Sequence, residues 1–215
     1  MSLHDLQLRL QHVLPDARLK VTGLPECAGL SLYLLDDSYA VEQLAPETAC
    51  RVMDDPLYWL FCWASGLVMA RQILAEPDRV RGKTVLDVGC GSGVVAIAAA
   101  MAGAARVVAC DLDPVARLAT ALNAAQNGVR LDIIGDFADW QGPVDLITVA
   151  DVLYDRDNLP LLTILLARAP VWLADSRMKN LSHPQLAYCE TLPGHTFPSL
   201  GGFDEFTEVN LYQSR

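Results

Sequence analysis

Basic charge is scarce in this chain: 16 lysines and arginines stand against 26 aspartates and glutamates, a formal net charge of −10. A field of that sign repels phosphate backbones and anionic lipid surfaces, which argues against nucleic acid and against a membrane as partners. Long apolar runs are missing as well. The longest nearly uncharged one, Val94 to Ala105, stops at Arg106 and falls short of the ~20 residues that a bilayer-spanning helix needs. It reads as a buried helix. The opening MSLHDLQLRLQHVL has neither the basic start nor the apolar stretch of a secretory signal, and Asp5 stands where that stretch would be needed, so a cytoplasmic protein is expected. Six cysteines (Cys27, Cys50, Cys62, Cys90, Cys110 and Cys189) show no close pairing of the metal-site or redox kind. Each has apolar neighbours, so reduced, buried thiols are expected and no metal site. Repeats and low-complexity segments are absent.

What the chain does have is apolar content: 52% of 215 residues, enough to bury one substantial core. From Lys83 onward short β-branched runs at 84–88, 106–111, 131–135, 145–151 and 170–175 alternate with helix-period stretches at 93–103, 114–127 and 158–168. Alternation of this kind predicts an α/β fold: a Rossmann-like, doubly wound, mostly parallel sheet with helices on both faces. The strand runs are almost continuously hydrophobic, as strands covered on both sides must be. After Asp175 the alternation fails, and FTEVNLY (206–212) predicts a last, antiparallel strand at or near the edge. Residues 1–82 are too poor in apolar periodicity for a core of their own. They are read as an extension packed on the sheet, making one domain with the 83–215 core.

The stretch VLDVGCGSGVVAIAAA (85–100) carries the chemistry. A glycine turn that follows a strand and opens a helix points backbone N–H groups at a ligand and lets that ligand approach closely. A phosphate-binding loop would end in Gly-Lys-Ser/Thr, which is absent, and a dinucleotide turn would have a third glycine where Val94 stands. An adenosine cofactor without phosphates remains. Asp87 lies two residues before Gly89, and Asp111 ends the next strand, 18 residues past Gly93, where a carboxylate can accept from both ribose hydroxyls.

LDVGCGSG and VVACDLDP together resemble the class I (seven-β-strand) S-adenosylmethionine-dependent methyltransferases, and NAAQNG (123–128) resembles the asparagine-bearing helix end found in many of them. DVLYDRDNLPLL after the fourth strand, PLYWLFCWASG (56–66), DFADWQG (136–142) and the terminal FDEFTEVNLY are similar to bacterial relatives of the lysine methyltransferase acting on the β-subunit of electron-transfer flavoprotein. Leu57 and Ala64 depart from that pattern, standing where prolines are frequent. The resemblance implies S-adenosyl-L-methionine as cofactor, contacted by Trp63, Gly89, Gly91, Asp111, Trp140 and Ala150, with Asp87 and Gly93 completing the motif. It implies a protein substrate presenting a lysine, with Asp151 and Tyr154 at the acceptor entrance. Asp151 would orient the amine and Tyr154 would face the cation formed during transfer; water can take the proton.

Plainer readings stand beside these. Trp59 and Trp63, four apart, could pack one helix face; Trp140 could cap the sheet edge; Asp151 could cap the following turn. A methyltransferase acting on a small amine, and a cofactor-binding module without catalysis, both use the same fold.

Overall fold

The computed structural model describes residues 2–41, 44–153, 156–178, 181–199 and 207–215. Its centre is a seven-stranded sheet built from β3 (Thr84–Val88), β4 (Arg106–Cys110), β5 (Asp132–Ile134), β6 (Leu146–Ala150), β7 (Val171–Asp175), β8 (Leu186–Pro193) and β9 (Glu208–Ser214). The strand order is β5-β4-β3-β6-β7-β9-β8. The first five run parallel, and β9 pairs antiparallel with both β7 and β8. β9 is therefore second from the edge. The edge itself is β8, which the sequence reading did not anticipate.

Strand residues face alternate sides, and the sheet fills two apolar clusters accordingly. Val85, Val107, Ala109 and Ala174 pack with helices α3 (Ala64–Ala75) and α4 (Val94–Met101). Leu86, Val88, Val108, Cys110, Ile147 and Val149 pack on the other face with Leu162 and Leu165 of α6 (Leu159–Arg168). α5 (Pro114–Gln126) starts where Asp113 accepts from the Val115 N–H and Pro114 presets the first turn, and the chain leaves it through Gly128 at φ +66°.

The first 82 residues hold α1 (Leu3–Val13), a separate hairpin of β1 (Leu19–Gly23) and β2 (Ser31–Leu35), α2 (Pro46–Asp54) and α3. α1 is fixed at its start by a reciprocal capping box between Ser2 and Asp5. A third cluster joins Leu6, Leu10, Leu35, Trp59 and Leu60 to Ala116, Leu118 and Ala119 of α5. The extension therefore leans on α5 through α1 and the hairpin and on α4 through α3, and α3 is its element that reaches the sheet strands. Two asparagines make this junction. Asn123, fully buried, accepts from the Tyr33 N–H (2.7 Å) and donates to the Ser92 carbonyl (2.8 Å); Asn127 accepts from the Ser31 N–H (3.0 Å) and donates to its carbonyl (2.7 Å).

Of the cysteines, Cys27, Cys62, Cys90 and Cys110 are buried and none is in a disulfide. Burial pushes the Cys27 thiol up to about 11 and the Cys110 thiol to about 12, so both stay protonated. Cys50 on α2 and Cys189 on β8 correct the sequence reading: both are exposed, because each lies on a surface element whose residues are mostly exposed.

Asp87 brings a carboxyl group into the middle of the sheet. Thr148, its cross-strand neighbour, donates to Oδ1 at 2.8 Å, and Oδ2 has no hydrogen-bond partner among the described residues. Burial drives its pKa up to about 7, against the lowering effect of the Thr148 hydroxyl.

Two predictions follow from these contacts. Asn123→Ala strands the Tyr33 N–H and the Ser92 carbonyl, and should cost about 2–4 kcal/mol in urea denaturation, the sum of two buried groups left unpaired. A change under about 1 kcal/mol would mean that other donors replace the amide. For Asp87, protonation favours the folded chain, because its folded pKa lies above its unfolded one. That contribution is complete in acid and is lost as pH rises through about 7. Asp87→Asn cannot ionise, so its stability relative to wild type should rise between pH 4.5 and 7.5. An unfolding free-energy difference that is constant with pH would refute the assignment.

Candidate active site

In the chain, β3, β4 and β5 extend the sheet one way and β6 and β7 the other, so strand order reverses between β3 and β6. In open parallel sheets ligands bind beyond the carboxyl ends at that point. A cavity of about 420 Å³ opens there, lined by residues that follow β3, β4, β5, β6 and β7 together with Tyr58 and Trp63.

The turn between β3 and α4 forms its floor. Gly89, Gly91 and Gly93 all adopt left-handed φ, +73°, +51° and +84°. A Cβ on Gly89 would stand 2.5 Å from Cγ2 of Val152, so glycine there lets the loop after β6 close on the turn. A Cβ on Gly91 would meet nothing within 4 Å: this residue borders open space in the cavity. Gly93 caps α4 against Thr120 and, like the buried Asp87, lies outside the lining.

Asp111 directly follows β4, with its carboxylate in the cavity. Oδ2 accepts from the Gly91 N–H (2.9 Å) and Oδ1 from the Asp113 N–H (3.0 Å), so each oxygen keeps a lone pair for a ligand hydroxyl. Partial burial raises its pKa, and the two N–H donors oppose the shift. Ala150 ends β6 on the other side of the turn, and Asp151 follows it. Asp151 holds φ +52°, a left-handed conformation that aspartate tolerates better than most residues. Its Oδ1 accepts from the Ser65 hydroxyl (2.6 Å), the Ser176 N–H (3.0 Å) and the Ser176 hydroxyl (2.8 Å), and Oδ2 from the Ser65 N–H (3.2 Å). This carboxylate ties the start of α3 to the end of β7, and Oδ2 keeps spare acceptor capacity.

Trp63 lines the cavity between Tyr58 and Phe61, ring centroids 6.2 and 5.4 Å away, and its indole N–H donates to the Tyr58 carbonyl. Trp59 is core. Trp140 requires a correction. It does not line the cavity; its ring lies under the Arg106 guanidinium at 4.5 Å, and its N–H donates to the Pro143 carbonyl. Arg106 opens β4, whereas the cavity lies past that strand's other end, five residues and roughly 16 Å away. Asp136 is the reason: its side chain accepts from the Ala138 N–H and turns the chain into a short 3₁₀ helix, which leaves Asp136 and Phe137 on the cavity and carries Trp140 away. Both belong to the DFADWQG stretch, where the larger aromatic drew attention. Leu112, Tyr58 and Arg177 were likewise not singled out. Tyr154 lies outside the described residues.

The cavity suits an adenosine cofactor without phosphates. Five aspartates (Asp111, Asp113, Asp136, Asp151, Asp157) line it, which disfavours phosphate. Leu112 and Phe137 add apolar surface beside Asp111 for a base, and the missing Cβ at Gly91 leaves room for ribose.

Residues 69–156 match the family model of ribosomal protein L11 methyltransferase (PrmA). The electron transfer flavoprotein β-subunit lysine methyltransferase of Rattus norvegicus is 44% identical over 106 residues, 48% of this chain and 41% of that protein. Its Xenopus laevis counterpart is 39% identical over 148 residues, 64% of this chain and 60% of that protein. The chain thus spans about half the length of the curated relatives it matches. Among solved structures, the magnesium protoporphyrin IX methyltransferase of Synechocystis with bound S-adenosylmethionine superposes with a TM-score of 0.53 at 17% identity, covering 80% of this chain and 84% of that one, a likeness of fold. In fold and in the segment that builds the glycine turn, the chain is similar to the class I S-adenosylmethionine-dependent methyltransferases, with lysine methyltransferases of electron-transfer flavoprotein among its relatives.

Proposed function

We propose that this protein transfers a methyl group from S-adenosylmethionine to a lysine side chain of a protein substrate. The observation that carries the reading is the cavity at the strand reversal, with Asp111 hydrogen-bonded to the Gly91 N–H on one side and Asp151 on the other. The cofactor, when bound, supplies an electrophilic methyl group. The chain has to align a neutral amine with it and exclude water. Asp151 suits alignment rather than deprotonation, since a carboxylate stabilises the ammonium form. Its Oδ1 is saturated by the two serines, so Oδ2 is the oxygen that meets the amine. Ser65 and Ser176 fix its direction.

A protein acceptor is favoured over a small amine by the mouth of the cavity. Leu112 and Tyr58, at 78% and 44% exposure, form an open apolar rim, and the exposed Asp136 and Asp157 lie beside it. Such a rim suits a lysine on a folded surface, whose own charge is attracted by a chain of net charge −10. The lysine methyltransferase relatives support the same acceptor.

Two measurements test this. Asp111→Ala should weaken binding of S-adenosylhomocysteine, measured calorimetrically, by about 10- to 100-fold, the loss of charge-assisted hydrogen bonds worth ~1.5–3 kcal/mol; an unchanged Kd removes Asp111 from the site. Labelled methyl transfer into a cell lysate should yield methyllysine in peptides, and KM for the protein acceptor should rise with ionic strength more than kcat changes. Label confined to small molecules would overturn the lysine reading.

A further inference from the structure

The loop after β4 is shaped by a residue that does not itself line the cavity. Arg117 is the fourth residue of α5, at the positive end of the helix dipole, where a cation is disfavoured. Its guanidinium turns back to the loop. Nη1 donates to the Asp111 carbonyl at 2.7 Å and to the Leu112 carbonyl at 2.9 Å, one hydrogen to each. The backbone at Gly135, directly after β5, packs against the same group: a Cβ there would stand 3.5 Å from Nη1. One side chain therefore joins the start of α5 to the ends of β4 and β5.

Successive carbonyls of a strand point to opposite sides, so gathering two of them on one nitrogen ends the extended course of β4 and curls the chain. The curl sets two groups of the cavity. It presents the Asp111 carboxylate, whose oxygens accept from the Gly91 and Asp113 N–H groups and keep lone pairs for ligand hydroxyls. It also turns the Leu112 side chain outward onto the rim. Charge works in the same direction: partial burial raises the Asp111 pKa, and the two N–H donors and the nearby guanidinium oppose that rise.

Resting on the cofactor reading above, we infer that Arg117 is a positioning residue for the cofactor: by holding the Asp111 and Leu112 carbonyls together it aims the Asp111 carboxylate at both ribose hydroxyls. Arg117 grips the loop and not the ligand, so the larger part of its effect reaches the cofactor through Asp111 and is read at the ribose.

The probes are S-adenosylhomocysteine and its dideoxy analogue, identical except that hydrogen replaces both ribose hydroxyls, titrated calorimetrically into the full chain. Wild type should bind the analogue about 10-fold or more weakly, the loss of hydrogen bonds to a carboxylate. Arg117→Met keeps the apolar stem and removes the donors. It should weaken S-adenosylhomocysteine more than the analogue, so that the ratio of the two dissociation constants falls by about 5-fold or more toward equality. Arg117→Lys, which retains the charge and N–H donors without the planar group, should recover part of that ratio. Arg117→Gln takes the place of the methionine variant if that chain does not fold. A merely structural role for Arg117 would weaken both ligands by the same factor, so a ratio equal to that of wild type overturns the assignment, whether or not affinity falls. A wild type that binds both molecules equally well overturns the contact between Asp111 and the ribose, and this inference with it. Failure of wild type to bind either molecule instead overturns the cofactor reading itself.

Discussion

Between β3, buried from Val85 to Val88, and α4, buried from Val94 to Ala99, the chain must reverse within five residues, 89–93, of which Gly89 alone is exposed. Three left-handed glycines make that reversal, and neighbouring elements are fitted to the backbone they leave bare. Val152 comes down on Gly89, Thr120 donates to the Gly91 carbonyl at 3.0 Å, Asn123 binds the Ser92 carbonyl, and Asp111 takes the Gly91 N–H. Two of these contacts come from α5 and the other two from the residues that follow β6 and β4. The turn thereby fixes the distance between the ends of β4 and β6, which is the width of the cavity.

Three aspartates around this turn differ in solvation, and so in role. Asp87 is sealed in the sheet with one hydroxyl partner and is held near neutrality; Asp111 is partly solvated and braced by two backbone N–H groups; Asp151 is engaged by two serines. Identical side chains thus form a buried polar link, a cavity-facing carboxylate with spare lone pairs and a strut.

The parallel core was legible because strands covered on both faces must be apolar throughout, which leaves a plain trace in TVLDV or LITVA. β8 left no such trace. It is an edge strand whose residues are mostly exposed, and a bulge between Tyr188 and Glu190 breaks its alternation. The N-terminal hairpin was hidden for another reason: Leu32 and Leu34 of β2 are buried in alternation, but its partner β1 is mostly exposed and has no apolar period to reveal it. At the site, Gly89, Gly91, Asp111, Ala150 and Asp151 could be located because a strand end fixes where its next residue goes. Phe137 and Arg177 could not, since a 3₁₀ turn and a stacking contact decide their direction.

The bridge through Asn123 has a dynamic consequence. Because one amide group holds both the Tyr33 N–H and the Ser92 carbonyl, local opening of the hairpin and loosening of the glycine turn are a single cooperative event. The exchange rate of the Tyr33 amide proton with solvent deuterium therefore registers how tightly the turn is closed, from a position 59 residues earlier in the chain than Ser92. A ligand that orders the turn slows exchange in a strand it never touches.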